Sequence, residues 1–181
     1  LAHHQSIRCA VNPRAGREFT TPELEVTKRH NQVVHVIGGG STGMNIAIFA
    51  AKRGFQVRLY EQSNQLGGLL DTASAAPDKE KWHWFKEYLL NQINDSDRIE
   101  VFLNKRITDV ELEDLPTGDY VIDATGMVPR YNKSLKESNL PVYTVEEAMH
   151  DKELVGKNIL ILGSRGAGLE AAHLLSTKSN E

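Results

Sequence analysis

VVHVIGGGSTGMNIAIFAAKRGFQVRLYE, Val33 to Glu61, decides the fold. Val33, Val34, Val36 and Ile37 form a short apolar, β-branched run that reads as a strand buried on both faces. Gly38, Gly40 and Gly43 then spell G-x-G-x-x-G where a strand should become a helix, with Ser41 and Thr42 opening that helix. Each glycine has its own task. Gly38 allows a sharp turn, Gly40 allows backbone to approach a pyrophosphate, and Gly43 allows helix and strand to pack closely. The helix carries Met44, Ala47, Ile48 and Ala51 at helical spacing, with Lys52 and Arg53 in its last turn. Gly54 stands just past its end, as a C-cap does. A second strand, Val57 to Tyr60, ends in Glu61, followed by Gln62. That acid lies about 20 residues beyond the glycines, the spacing at which a carboxylate reaches ribose hydroxyls. Alone, the glycine pattern is weak. With strand, capped helix, second strand and terminal acid in order, it is a dinucleotide-binding βαβ unit.

The whole chain has 181 residues, enough for one generous domain or two small ones. At 40% hydrophobic and 25% charged it has the make-up of a globular protein. A net charge of −3 and a pI near 6.2 leave no electrostatic footprint for nucleic acid or an anionic membrane. No apolar run approaches the ~18 residues that span a bilayer, and no signal-peptide pattern opens the chain. Cys9 is the single cysteine, so no internal disulfide forms, which fits a reducing, cytoplasmic setting. His3, His4 and Cys9 match no closed metal site by spacing.

Residues 1–30 carry few periodic apolar residues and read as a turn-rich lead-in. Within them Arg8 to Glu18, RCAVNPRAGRE, precedes the glycine fingerprint by about twenty residues. This combination resembles the multidomain old-yellow-enzyme relatives: the 2,4-dienoyl-CoA reductase, trimethylamine dehydrogenase and NADH:flavin oxidoreductase family. The resemblance implies a flavin-bearing barrel ending in a four-iron, four-sulfur centre, followed by an FAD-like and an NAD(P)-like domain. Cys9 matches the last of the four cluster ligands, and one thiolate alone cannot hold such a cluster. The chain therefore looks like a piece of a larger enzyme.

Beyond the βαβ unit, Leu66-Gly67-Gly68 matches the family's L-G-G, which brings backbone near the cofactor's ribose and pyrophosphate. Leu69 stands where the family usually has glutamine, which loses one polar contact. The other reading is a plain Gly-Gly turn. Asp78 to Ile93 predicts an amphipathic helix with Trp82, Phe85, Leu89 and Ile93 on its core stripe and His83 exposed. Ile99 to Leu103 predicts a strand, and the alternation around Ile107 to Leu112 a further short β segment. Tyr120 to Asp123 predicts a buried parallel strand running into Ala124-Thr125-Gly126, which resembles the A-T-G beside the FAD pyrophosphate in two-dinucleotide flavoproteins. Asp123 reads as a strand-end group satisfied by backbone. Thr144 and Glu147 predict a capping box for a short helix ending at Met149.

Lys157 to Gly163 predicts another buried strand entering a second glycine turn. Its three fingerprint positions are Gly163, Arg165 and Gly168. Arg165 puts a side chain where a pyrophosphate would meet bare backbone, so ordinary nicotinamide binding is in doubt there. A helix from Leu169 to Leu175 follows, and the second lobe is expected to be truncated, with no complete nicotinamide site.

The expected fold is α/β: a Rossmann-like three-layer lobe with a mainly parallel sheet ordered 99–103, 56–60, 33–37, 120–124. Its expected divisions are a lead-in over 1–30, an FAD/ADP-binding lobe over 31–126, and a linker with an incomplete NAD(P)-like lobe over 127–181. Apolar surface from 159–175 suggests a homodimer or a hairpin swap. By resemblance, the parent passes electrons from NAD(P)H to FAD, through the iron–sulfur cluster to FMN in the barrel, then to an activated alkene or similar acceptor. The piece itself would lack turnover, with cofactors supplying the chemistry. The alternative is a non-catalytic module holding ADP. A disulfide reductase is set aside, because Cys9 has no C-x-x-C partner. Neither composition nor motif separates FAD from ADP.

Overall fold

The computed structural model describes residues 9, 12, 15–20, 29–128, 135, 137, 139–154 and 157–177. His3, His4, much of the Arg8–Glu18 motif and Pro129-Arg130 lie outside them. Four strands form one sheet: β1 (Val33–Ile37), β2 (Gln56–Tyr60), β3 (Ile99–Phe102) and β4 (Tyr120–Asp123). All pairs are parallel and the order is β3-β2-β1-β4. That is the expected order. The direction of winding reverses between β1 and β4, the switch point at which open α/β sheets bind their ligands.

Helix α1 (Ser41–Lys52) returns the chain from β1 to β2, and α3 (Glu80–Asn94) packs beside it. Strand alternation turns Val34, Val36, Val57 and Leu59 to one face. There they are buried with Met44, Ala47, Ile48 and Ala51 of α1 and Phe85, Leu89 and Ile93 of α3. Each fully buried Val, Leu, Ile, Met or Phe side chain contributes about 1.5–3 kcal/mol. Trp82 packs on this core half-buried, and His83 is exposed as expected. Gly54 ends α1 at φ +92° and donates its N–H to Ala51 at 2.9 Å, so the predicted C-cap is present.

A smaller cluster joins the later helices. Helix α2 (Leu70–Ala75) follows the Gly67-Gly68 turn. Ala76 just beyond it packs with Met149 of α5 (Val145–His150) and Ala171 and Leu174 of α6 (Gly166–Thr177). The Thr144–Glu147 capping box of α5 forms as predicted, with the Thr144 N–H donating to Glu147 Oε2 at 2.6 Å.

Three expectations fail. Residues 107–112 do not form a strand; α4 (Asp109–Glu113) replaces it. Thr108 and Glu111 make a reciprocal capping box, and Lys105 bonds Glu111, holding its carboxyl at about 2. Thr-x-x-Glu therefore outweighs the apolar alternation that follows it. Residues 157–163 also make no strand, and Leu160 and Leu162 are 83% and 65% exposed. A parallel strand needs a hydrogen-bonded neighbour, and none is present among the described residues. Strand β4 forms, but at the sheet edge, with Tyr120 and Val121 exposed rather than buried.

The other face of the sheet holds a buried polar group inside the apolar run. His35 is 1% exposed, with Nδ1 3.1 Å from the Tyr60 hydroxyl and Nε2 3.2 Å from Asp119 Oδ2. Asp119 Oδ1 accepts the Val33 N–H at 2.8 Å, so one carboxylate ties the approach to β4 onto the start of β1. Tyr60 stacks on Phe102, and burial raises its phenol above the ordinary range despite the opposing pull of Arg58. The Val33 N–H, then His35, hold the Asp119 carboxyl below its usual value. A lowered folded value means this contribution is complete above the unfolded carboxyl range and is lost as pH falls through the folded value. Asp119→Ala is expected to cost about 1–3 kcal/mol in urea unfolding at pH 7, with a smaller difference from the parent chain below about pH 4. A cost that is constant across that range would contradict the assignment.

Candidate functional site

The glycine turn after β1 is built from backbone contacts that admit no side chain. Gly38 sits at φ +107°, and a Cβ there would lie 2.4 Å from the Ala124 carbonyl oxygen. A Cβ on Gly43 would lie 1.8 Å from the Gly38 carbonyl oxygen, so α1 starts directly against the turn. The small residues after β4 thus let one backbone pass another. Gly40 differs: a Cβ there would meet nothing within 4 Å, and its φ of −72° suits any residue. The space beside Gly40 is open.

Gly67 and Gly68 pack against the backbone of the same turn and leave that side open. The Gly67 N–H donates to the Gly39 carbonyl at 2.9 Å, and Gly40 and Gly67 form a parallel bridge. Gly68, at φ +53°, approaches so closely that its Cβ would lie 3.1 Å from Gly40 Cα. Leu66 beneath is buried, whereas Leu69 is 54% exposed. The Gly-Gly pair is therefore not an isolated turn; it is the second wall of the first. Helix α1 begins at Gly40 with no side-chain cap and no acid in its first turn, where Ser41 and Thr42 lie. An uncapped helix start beside open backbone favours an anion.

Glu61 is fixed at the end of β2. Its Oε2 accepts the Gly39 N–H at 2.7 Å, and Oε1 accepts the Ser63 N–H and hydroxyl, each at 2.8 Å. Burial pushes its carboxyl up, but these bonds from Ser63 and Gly39 outweigh it and the net value is lowered. Glu61 is thus ionised, oriented, and joined to the glycine turn. The Gln62 backbone adds a further favourable contact to the same carboxylate. Gln62 beside it is exposed. Across the turn, Thr125 and Gly126 are exposed and Ala124 is half-buried. Asp123 Oδ1 accepts the Thr125 N–H and hydroxyl at 2.9 and 2.8 Å, which lowers its carboxyl and accounts for it as a strand-end cap.

The second glycine turn repeats the first. Gly163 sits at φ +117°, and a Cβ on Gly168 would lie 2.2 Å from its carbonyl oxygen. The Leu169 N–H donates to the Arg165 carbonyl at 3.1 Å, as the Met44 N–H does to Gly40 at 2.9 Å. Arg165 holds the place of Gly40. The Arg165 backbone is not left-handed, and the residue is exposed. Cys9 is exposed and, among the described residues, no group of three metal-ligating side chains exists. No described helix is long and apolar enough to cross a membrane.

Known proteins match this arrangement. Residues 36–105 match the NAD(P)-binding Rossmann-like domain family. The chain is 39% identical over 178 residues to an NADH oxidase of Thermoanaerobacter brockii, covering 95% of this chain and 27% of that enzyme. It is 30% identical to a cinnamate reductase of Clostridium sporogenes, covering 100% of this chain and 26% of that enzyme. A solved 2-naphthoyl-CoA reductase superposes with a TM-score of 0.76 at 26% identity, over 94% of this chain and 26% of its own. The chain is similar to a fragment of old-yellow-enzyme-type reductases and dehydrogenases. It spans about a quarter of the length of these relatives. A dimethylamine dehydrogenase of Hyphomicrobium is a further relative, 24% identical over 177 residues.

Three residues at or near the site carry no sequence signal read above. Lys86 and His35 are placed by tertiary contacts and Ser63 by local bonds to Glu61 and Gln65, and only His35 had a visible cue, a polar residue inside an apolar strand. The glycines separate in their expected responses. Gly38→Ala should destabilise the fold by about 3 kcal/mol or more, because it combines left-handed strain with a backbone clash. Gly40→Ala should cost at most about 1 kcal/mol, the scale of an N-cap change. Urea unfolding of the two variants measures the contrast, and equal costs would refute the assignment of Gly40 to open space.

Proposed function

We propose that this chain is the FAD- or ADP-binding part of an NAD(P)H-dependent flavin oxidoreductase whose remaining domains act on an activated alkene or similar acceptor. The observation that carries this reading is the open space at Gly40, walled by Gly67 and Gly68, at an uncapped helix start beside the ionised Glu61. The backbone of Gly38, Gly40, Ser41, Thr42 and Gly43 would receive the diphosphate, with Gly67 and Gly68 beside it. Glu61 would accept the ribose hydroxyls, Gln62 would flank them, and Ala124, Thr125 and Gly126 would line the far side. A flavin bound here supplies the redox chemistry; the chain's residues bind, orient and charge-match it.

On this reading residues 31–126 form the nucleotide lobe, 1–30 lead in from a flavin barrel, and 127–181 begin a second lobe. The parent would also use NAD(P)H, FMN and a four-iron, four-sulfur cluster, with Cys9 as one cluster ligand, in a cytoplasmic setting. One observation favours the alternative of a non-catalytic ADP module. Arg165 occupies the second turn where Gly40 stands in the first, so its side chain would meet a nicotinamide pyrophosphate at Gly163 and Gly168. Exposed Leu160, Leu162 and Leu169 further support a homodimer through this end of the chain, for which sedimentation would give a dimer mass and a clean monomer would count against it.

Calorimetric titration with FAD, ADP and NADH tests the site. FAD and ADP should bind with similar affinity, because both present the same adenosine diphosphate. Gly40→Val, which meets no protein atom within 4 Å at its Cβ, should abolish binding while the chain stays folded. Binding unchanged by Gly40→Val would overturn the placement.

A further inference from the structure

Lys86 of α3 is one of three polar or charged side chains among the buried residues described, and it lies beneath the second wall of the diphosphate cradle. Its Nζ donates to both Asp71 carboxylate oxygens, at 2.7 and 2.8 Å. Asp71 Oδ2 also accepts from the Gln65 amide at 3.0 Å. Gln65 and Asp71 flank the Leu66-Gly67-Gly68 turn on either side, so the carboxylate closes the turn into a loop and Lys86 pins that loop to α3. The stem of Lys86 fills the space that Gly67 leaves empty. A Cβ on Gly67 would lie 2.7 Å from Lys86 Cε and 3.0 Å from Cδ. Helix α3 is itself rigid, anchored in the core by Phe85 and Leu89 on either side of Lys86 along the chain.

We propose that Lys86 is a positioning residue of the dinucleotide site, holding Gly67 and Gly68 against Gly40 through its ion pair with Asp71. The inference rests on the nucleotide site proposed above and adds a part to it that no motif contains. Both charges are largely withdrawn from water, Lys86 at 11% and Asp71 at 30% side-chain exposure, so removing one partner leaves the other uncompensated. The turn contributes only backbone to the site, and backbone atoms keep their place only if something else holds the loop. Without the pair, the turn would be held to the first wall only by backbone, through the Gly67–Gly39 hydrogen bond and the Gly40–Gly67 bridge, among these contacts. A loosened second wall costs affinity, because ordering it becomes part of binding.

The test uses the same chain and titrates ADP into Lys86→Met and Lys86→Arg, with unfolding curves of each. Lys86→Met keeps an apolar stem of similar volume and removes the charge; it should remain folded and bind ADP about tenfold more weakly. Lys86→Arg restores a cation to Asp71 and should recover most of the affinity, within about threefold of the parent chain. Rescue by arginine separates ion-pair positioning from loss of packing, which methionine already preserves. Parent-chain binding with Lys86→Met unchanged would overturn this inference and leave the nucleotide site standing. No ADP binding by the parent chain would overturn the site and this inference together.

Discussion

The rest of this molecule depends on the meeting of three backbones at Gly38. Its carbonyl touches the start of α1 where Gly43 has no side chain, and its α-carbon faces the Ala124 carbonyl where β4 ends. Either contact, filled by one methyl group, forces β1 away from its partners. Because both are empty, α1 begins at the switch point of the sheet, and its N-terminus arrives beside the end of β4. The site is a consequence of how tightly the scaffold packs. Gly40 is the one fingerprint glycine that the fold itself does not require, which is why its open side is informative about a ligand.

Around that meeting point, polar groups rather than apolar ones set the geometry. Glu61 joins the end of β2 to Gly39, Asp119 joins the approach to β4 to β1 and His35, and Asp71 joins the Gly-Gly turn to Lys86. Each carboxylate is supplied with donors, which offsets the cost of removing its charge from water. The apolar core under α1 and α3 provides most of the driving force for folding. These carboxylates decide where the loops above it lie.

The first βαβ unit was legible because its signals are local and redundant: an apolar strand, spaced glycines, a capped helix and a terminal acid all agree. Strand order followed from crossover handedness. What stayed hidden depended on distant partners. Lys86 reads as an ordinary surface position on α3 until Asp71 and Gly67 are brought to it, and Asp119 has no local motif at all. Two errors have separate causes. At 107–112 two local signals compete, and the Thr108–Glu111 capping box prevails over alternation. At 157–163 the local pattern suits a buried strand, but a strand exists only with a neighbour, which composition alone does not reveal. Likewise β4 has the apolar content of an interior strand yet lies at the edge of this sheet.

The most direct test of the central claim is an amide chemical-shift map of the isotopically labelled chain titrated with ADP. If the cradle at Gly40 receives the diphosphate, the N–H signals of Gly39, Gly40, Ser41 and Thr42 should move together with those of Gly67 and Gly68, in one saturable process. Shifts confined to residues 163–168, or none at all in the presence of excess ADP, would contradict it.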